Sequence, residues 1–523
     1  MYAEKLKEIL AAREEVALLD VREQGVHYRG HPFFACSLPL SRLETMVDDL
    51  VPRRSAPLVL LDGGNEDLVG KAQARLRELG YTDVSILQGG CDAWRASGGE
   101  LFSGVNVPSK AFGEFVEHQY ETPRIPPEQL NEYVKSGRKL VILDSRPFEE
   151  YHRMNIPGGI DAPGAELAWR VHDLAPDPDT LVVVNCAGRT RSIIGCQSLR
   201  NAGIPNPVVA LKDGTMGWEL AGFEVERGST RVAAPPSEAG RKRARAVTDR
   251  VAQKFAVKFV SSSRVRDWQS DHTRTLYLLD VRSREEFEAK RIVGSRYAPG
   301  GQLVQATDEY IGVRNSRVVL VDPERVRSVM TASWLNQMGW EDVSVLEPEG
   351  SDGFAGWPTE SGPRMKSVLG LMAWGTTPEV EGATILDLST SLRFRARHVP
   401  GAWWAVRSRL DEAKRKLPDP TSLVLTSDDA VLAHLAAPEA AALWPGVPVK
   451  VLEGGNAAWF AAGRPTEAGM ERATTTLDDV WYKPYDHEHG SDYEKHARAY
   501  LSWEVALVDQ IRRDPTIRFR AYR

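Results

Sequence analysis

The chain has few cysteines, four in 523 residues, which is too few for a disulfide framework. Cys36, Cys91, Cys186 and Cys196 also lack the paired spacing of a metal-ligand set. Such sparing use suits a reducing compartment, and the expected location is cytoplasmic. No apolar run approaches the roughly eighteen residues of a membrane span. Met1–Leu10 reads as a charged amphipathic helix and not as a secretory leader. Neither sign of charge dominates: 66 Lys and Arg face 72 Asp and Glu, for a net charge of −6. That balance excludes a general attraction to nucleic acid or to an anionic membrane. By length the chain holds about three to five domains.

What the chain does have is repetition. Leu18-Leu19-Asp20-Val21-Arg22 returns as Ile142-Leu143-Asp144-Ser145-Arg146 and as Leu278-Leu279-Asp280-Val281-Arg282, with a weaker copy at Ile385-Leu386-Asp387-Leu388-Ser389. Each copy is followed by a glycine turn and an aromatic residue. Asp20 to Trp94, Asp144 to Trp218 and Asp280 to Phe354 each span 74 positions, and Asp387 to Trp459 spans 72. A spacing held this closely four times is a tandem array. Within each unit, short apolar runs alternate with helical patterns, which predicts a mainly parallel sheet covered by helices on both faces. In the second unit the strands are expected near 140–144, 181–185 and 207–211. Its helices are expected near 127–136, 147–152, 191–202 and 215–221. The closing tryptophans read as core.

One unit carries chemistry. Leu181-Val182-Val183-Val184 reads as a buried parallel strand. It runs into Asn185-Cys186-Ala187-Gly188-Arg189-Thr190-Arg191-Ser192 and then into a helix. A cysteine between a strand end and a helix start faces backbone N–H groups and the positive end of the helix. With two arginines beside it, Cys186 is expected to be a nucleophilic thiolate. Cys196, about three turns further along that helix, and Cys91 read as structural.

Between the units, residues 104–124 read as a polar, aromatic connector. The basic run Arg241-Lys242-Arg243-Ala244-Arg245 reads as a solvated linker helix and not as a nucleic-acid patch. Beyond residue 470 no further copy follows. A helix is expected near 491–513, packed across the fourth unit or a partner chain. The Asp486-His487-Glu488-His489 cluster, with His496, lacks helical ligand pairing and reads as an exposed turn, so no metal is expected.

The Asp-x-Arg strand ends, the cysteine-led Gly/Arg loop and the closing Gly-x-x-x-Trp together resemble rhodanese domains, the sulfurtransferase family. The resemblance covers nearly all of residues 1–470 and is strongest in the second unit. It implies an α/β fold of four tandem rhodanese-like domains, each a mainly parallel five-stranded sheet flanked by helices, with a C-terminal helical tail. The domains are expected at 1–104, 125–228, 255–357 and 366–470, with the tail at 471–523. Carried over by position, Cys186 matches the sulfur-carrying cysteine. Ala187, Gly188, Arg189, Thr190 and Arg191 match the loop that cradles the persulfide, Arg189 and Arg191 being suited to an anionic donor. Asp144 and Arg146 match the pair that braces the loop, and Arg153 is a candidate substrate contact.

The activity this resemblance implies is transfer of sulfane sulfur from thiosulfate to a thiol or cyanide through a Cys186 persulfide. No cofactor is involved, and a sulfur-accepting protein is a candidate partner. Only four residues separate Cys186 from Arg191, whereas phosphatases of this fold use a longer loop with five. 3-Mercaptopyruvate is the alternative donor, although enzymes using it carry a neutral loop. A non-catalytic array acting as scaffold or sulfur relay is the alternative of another class. Sliding the second unit onto its siblings places Asp322 opposite Cys186 in the third. In the first it places Asp62 or Gly63 there, and in the fourth one of Ser427 to Asp429. None is cysteine, so those units are expected to be silent. By analogy with paired domains of the family, the first unit is expected to wall the Cys186 pocket. The third and fourth are free to set oligomer contacts or present an acceptor.

Overall fold

The computed structural model describes residues 1–64 and 67–522. Its main feature is four five-stranded sheets, one per repeat. In the second unit the order is Arg124–Ile125, Val208–Leu211, Leu181–Asn185, Leu140–Asp144, Ile160–Asp161, parallel throughout. The central strand Leu181–Asn185 is buried along its whole length, as a strand covered on both faces must be. The third and fourth units repeat this order with Arg317–Val321 and Leu423–Thr426 as central strands. Trp94, Trp218 and Trp459 are buried, each indole N–H donating to the carbonyl six residues later.

The first unit departs from the expected plan. Its sheet contains Val16–Asp20, Cys36–Ser37, Leu58–Leu61 and Val84–Ile86, all parallel. The fifth strand, Val313–Arg314, comes from the third unit and runs antiparallel, with Val16 opposite Arg314. The join continues inside, where one hydrophobic cluster runs through the first three units. The fourth unit has a core of its own and meets the first through ion pairs such as Arg407–Glu44, 2.8 Å.

Two connecting segments also differ from expectation. Residues 104–124 contain a buried helix, Val107–Tyr120. Phe112 and Val116 enter the shared core while Lys110, Glu114 and Glu117 are held in ion pairs, so its charges hid an interior helix. The tail helix Ser491–Arg513 lies along this connector helix and not across the fourth unit. Its Tyr493, Ala497 and Leu507 meet Met216 of the second unit and Phe102, Val107 and Ala111 near the connector. The basic run lies on the helix Glu238–Lys254, which packs on Glu166–Leu174 and Val326–Gln337 with Lys242, Arg243 and Arg245 exposed.

Candidate active site

Asp144 pairs with Asn185 where the two central strands end, so Cys186 is the first residue beyond the sheet. This carboxyl end is where open α/β sheets place their sites. Asp144 is fully buried and bound by Arg146 at 2.7 Å, and Arg146 donates onward to Met154 O at 2.6 Å. Asn185 Nδ2 donates to the same carboxylate at 3.1 Å. The strand end is therefore fixed before the loop begins.

The loop is held from its outer side by the helix Gly214–Leu220. Thr215 N–H donates to Cys186 O at 2.8 Å, and Met216 N–H to Ala187 O at 2.9 Å. A trans peptide places its N–H opposite its carbonyl, so the amides of Ala187 and Gly188 face the other way. The amides of residues 187–192 have no protein acceptor among the described residues. Those of Arg191 and Ser192 open the helix Thr190–Ala202, where N–H groups have no intrahelical partner. Together they form a cup of donors in the loop that Cys186 heads; the residue is 2 % exposed, and its sulfur lies 3.6 Å from Ser192 Oγ.

The sibling loops show what such a cup takes. Strand register places Asp322, Asp62 and Ser427 at the Cys186 position, which resolves the open choices to Asp62 in the first unit and Ser427 in the fourth. Asn65 and Glu66 of the first loop lie outside the described residues. Asp322 accepts from Arg327 N at 2.9 Å, Glu324 N at 3.2 Å and Ser328 N at 3.3 Å. These residues correspond to Arg191, Gly188 and Ser192, so in the third unit a built-in carboxylate fills the cup.

The two loop arginines part company. Arg191 donates to Glu150 at 2.7 and 3.1 Å and to Gln302 of the third unit at 3.3 Å, and it interacts electrostatically with Cys186. Arg189 is bound by Glu114 at 2.7 Å, Glu117 at 2.6 Å and Asp213 at 3.1 Å. Three carboxylates thus surround the Arg189 guanidinium, which lines the cavity over Cys186 together with Arg191. Arg153 is half exposed, 3.2 Å from Asp486 and bonded to Tyr485 O at 2.6 Å.

A cavity of about 210 Å³ opens over the cysteine, and every expected site residue except Asp144 lines it. No described residue of the first unit lines it. The third unit supplies Gln302, Gln305 and Glu309, the connector supplies Asn106 and Lys110, and the tail supplies Trp481, Lys483, Tyr485 and Tyr500. Tyr485 donates to Ala187 O at 3.0 Å. Glu504, fully buried, takes Thr190 at 3.2 Å, Lys110 at 3.2 Å and Tyr500 at 3.0 Å. The aromatic run 481–485 was visible in the sequence, but nothing there pointed to the loop it covers. His487 and His496 flank Asp492 at 3.4 and 3.5 Å. Their rings stack 3.5 Å apart at 11°, and one ligand atom from each of His487, Asp492 and His496 lies within 4.8 Å of the other two, a grouping across the turn and the tail helix that the sequence reading did not anticipate.

Burial favours a neutral Glu150, yet Arg191, with Lys483 and Arg146 behind it, lowers the carboxyl to about 2 from its ordinary 4.5. A depressed carboxyl adds stability that is complete above pH 4.5 and is lost as pH falls through the folded value near 2. Glu150→Gln is therefore expected to lower the thermal midpoint at neutral pH, and the difference from wild type should shrink steadily between pH 4.5 and 2. A constant difference across that window, read by scanning calorimetry, would remove the ion pair as the cause.

A family model described as Rhodanese-like domain matches residues 2–97, 126–221 and 262–357. Among solved structures, the thiosulfate sulfurtransferase from Pseudomonas aeruginosa is 44% identical, with a TM-score of 0.93 over 100% of this chain and 99% of that one. The putative sulfur carrier protein YrkF of Bacillus subtilis is 27% identical over 135 residues, 24% of this chain and 72% of that protein. The HTH-type transcriptional regulator Rv0324 of Mycobacterium tuberculosis is 36% identical over 95 residues, 18% of this chain, and the match spans 41% of the regulator's length.

Proposed function

The chain is a member of the rhodanese family, and from that premise we propose that it is a sulfurtransferase whose Cys186 carries sulfane sulfur as a persulfide. What supports this reading is the run of unpartnered amides at residues 187–192 beside Cys186, whose counterparts in the third unit bind the carboxylate of Asp322, a setting that favours a negative charge. Thiosulfate is the donor we assign, supported by the solved thiosulfate sulfurtransferase that the whole chain resembles at 44% identity.

In the first displacement the Cys186 thiolate attacks the outer sulfur of thiosulfate. The donor's S–S bond breaks, its electron pair leaves with sulfite, and the cysteine keeps the terminal sulfur as Cys–S–S⁻. In the second, cyanide or a thiolate attacks that terminal sulfur and the Cys186 thiolate returns. Neither displacement calls for a metal or an organic cofactor. Cup amides hold the charge on the terminal sulfur, the Asp144–Arg146 pair and Arg189 brace the loop, and Arg191 adds positive field at the sulfur. The three units with Asp62, Asp322 and Ser427 carry no sulfur.

Incubation with thiosulfate is expected to add about 32 Da to the intact protein, one sulfur atom, lost again on thiol treatment. With cyanide present, thiocyanate is expected. Absence of both products would overturn the reading, and a higher kcat/KM for 3-mercaptopyruvate would reassign the donor.

A further inference from the structure

Resting on the reading of Cys186 as sulfur carrier, we propose that Lys483, on the tail segment Trp481–Tyr485, holds the sulfonate end of the donor. This gives a substrate-binding role to a segment outside all three stretches matched by the family model.

Six cationic side chains line the cavity. Five have a carboxylate in place: Lys110 with Glu504 at 3.2 Å, Arg146 with Asp144 at 2.7 Å, Arg153 with Asp486 at 3.2 Å, Arg189 with Glu114 at 2.7 Å and Arg191 with Glu150 at 2.7 Å. Lys483 is the sixth, and among the described residues no carboxylate lies within ion-pairing distance of it. Its ammonium is nonetheless near enough to the site to help hold down Glu150. An entering dianion finds the other charges already compensated, so the strongest net attraction comes from Lys483.

The segment is also fixed where it can act. Trp481 stacks between Tyr28 of the first unit, 5.4 Å away, and Tyr500 of the tail helix, 5.8 Å away. Two residues beyond Lys483, Tyr485 is hydrogen-bonded to Ala187 O in the cysteine loop. Pro484 between them is buried and limits the backbone. Lys483 is thus carried on a strap anchored on both sides of it, at Trp481 and at Tyr485. When the thiolate takes the outer sulfur, the departing sulfite keeps both negative charges, and the ammonium faces its oxygens throughout. Discharge of the persulfide to a neutral thiol involves no sulfonate and makes no call on Lys483.

The test separates loading from discharge. Wild type, Lys483→Gln and Lys483→Arg are mixed with thiosulfate, and the persulfide is followed by intact mass. Preloaded protein is then discharged with 2-mercaptoethanol. Lys483→Gln is expected to load with a second-order rate constant about 30-fold lower, as for loss of one charge-assisted contact. Discharge is expected at the wild-type rate, and Lys483→Arg should restore loading to within about threefold. Loading by the glutamine variant within about twofold of wild type would overturn the assignment, as would a parallel fall in discharge. Failure of the wild type itself to load would instead remove the sulfur-carrier reading, and this assignment with it.

Discussion

Cys186→Ser is expected to lower kcat/KM for thiosulfate and cyanide by at least about 10⁴-fold and to abolish the gain of about 32 Da. A serine hydroxyl stays protonated where a thiol ionises, and oxygen forms no stable equivalent of a persulfide. The fold should accept the change. The fourth unit already places Ser427 at this position, with Ala433 N–H donating to its hydroxyl at 3.3 Å, and serine is slightly smaller than cysteine. Activity above about 1% of wild type would put the sulfur on another thiol. The alternatives are poor, because burial pushes Cys91 and Cys196 up to about 12 and Cys36 higher still. The measurements are thiocyanate formation and intact mass, with a thermal scan to show that the variant is folded.

The second large effect comes from a residue that never touches substrate. Gly214 sits at φ 58°, a left-handed conformation that costs an L side chain about 1 kcal/mol. A Cβ there would overlap the Cys186 carbonyl oxygen and stand 2.6 Å from Gly188 O and 2.9 Å from the Ala187 carbonyl carbon. These are backbone atoms, so no side-chain rotation relieves the contact. Gly214→Ala must push the loop away from Thr215 and Met216, whose amides hold its carbonyls outward. Once those carbonyls turn, the amides on the other side no longer converge on the sulfur. We expect kcat/KM to fall about 10²-fold, as for removal of an oxyanion-type donor, with a stability loss of about 2 kcal/mol. A variant with full activity would show that the cup does not depend on this clamp.

Much of this was readable in the chain, for a physical reason. Strand ends, glycine turns and the cysteine loop are local features, and repetition showed which residue each sibling puts in the sulfur's place. Arg189 and Arg191 could not be told apart in the same way. Both are cations beside Cys186, but residues two apart at a helix start diverge by about 200°. One therefore meets the connector helix and the other meets Glu150 and Gln302. Two of the three partners of Arg189 lie 75 and 72 positions away, on a helix whose charges made it read as polar. Lys483 and Tyr485 reach the loop from about 300 positions away, a distance over which hydrophobic periodicity carries no signal. The third unit's Gln302 and Glu309 entered the wall for the same reason.

The strand that the third unit lends to the first has a consequence for how the molecule comes apart. Copies strung in a row normally touch, and are coupled to, only their immediate neighbours. Here the outer two of the first three are stitched edge to edge around the middle one, over an interior they hold in common. Those three should give way in a single cooperative step, while the fourth, joined through charges, is free to go first. A repeat that has lost its sulfur is in this sense still masonry: take out the third, and the wall around the working cysteine falls with it.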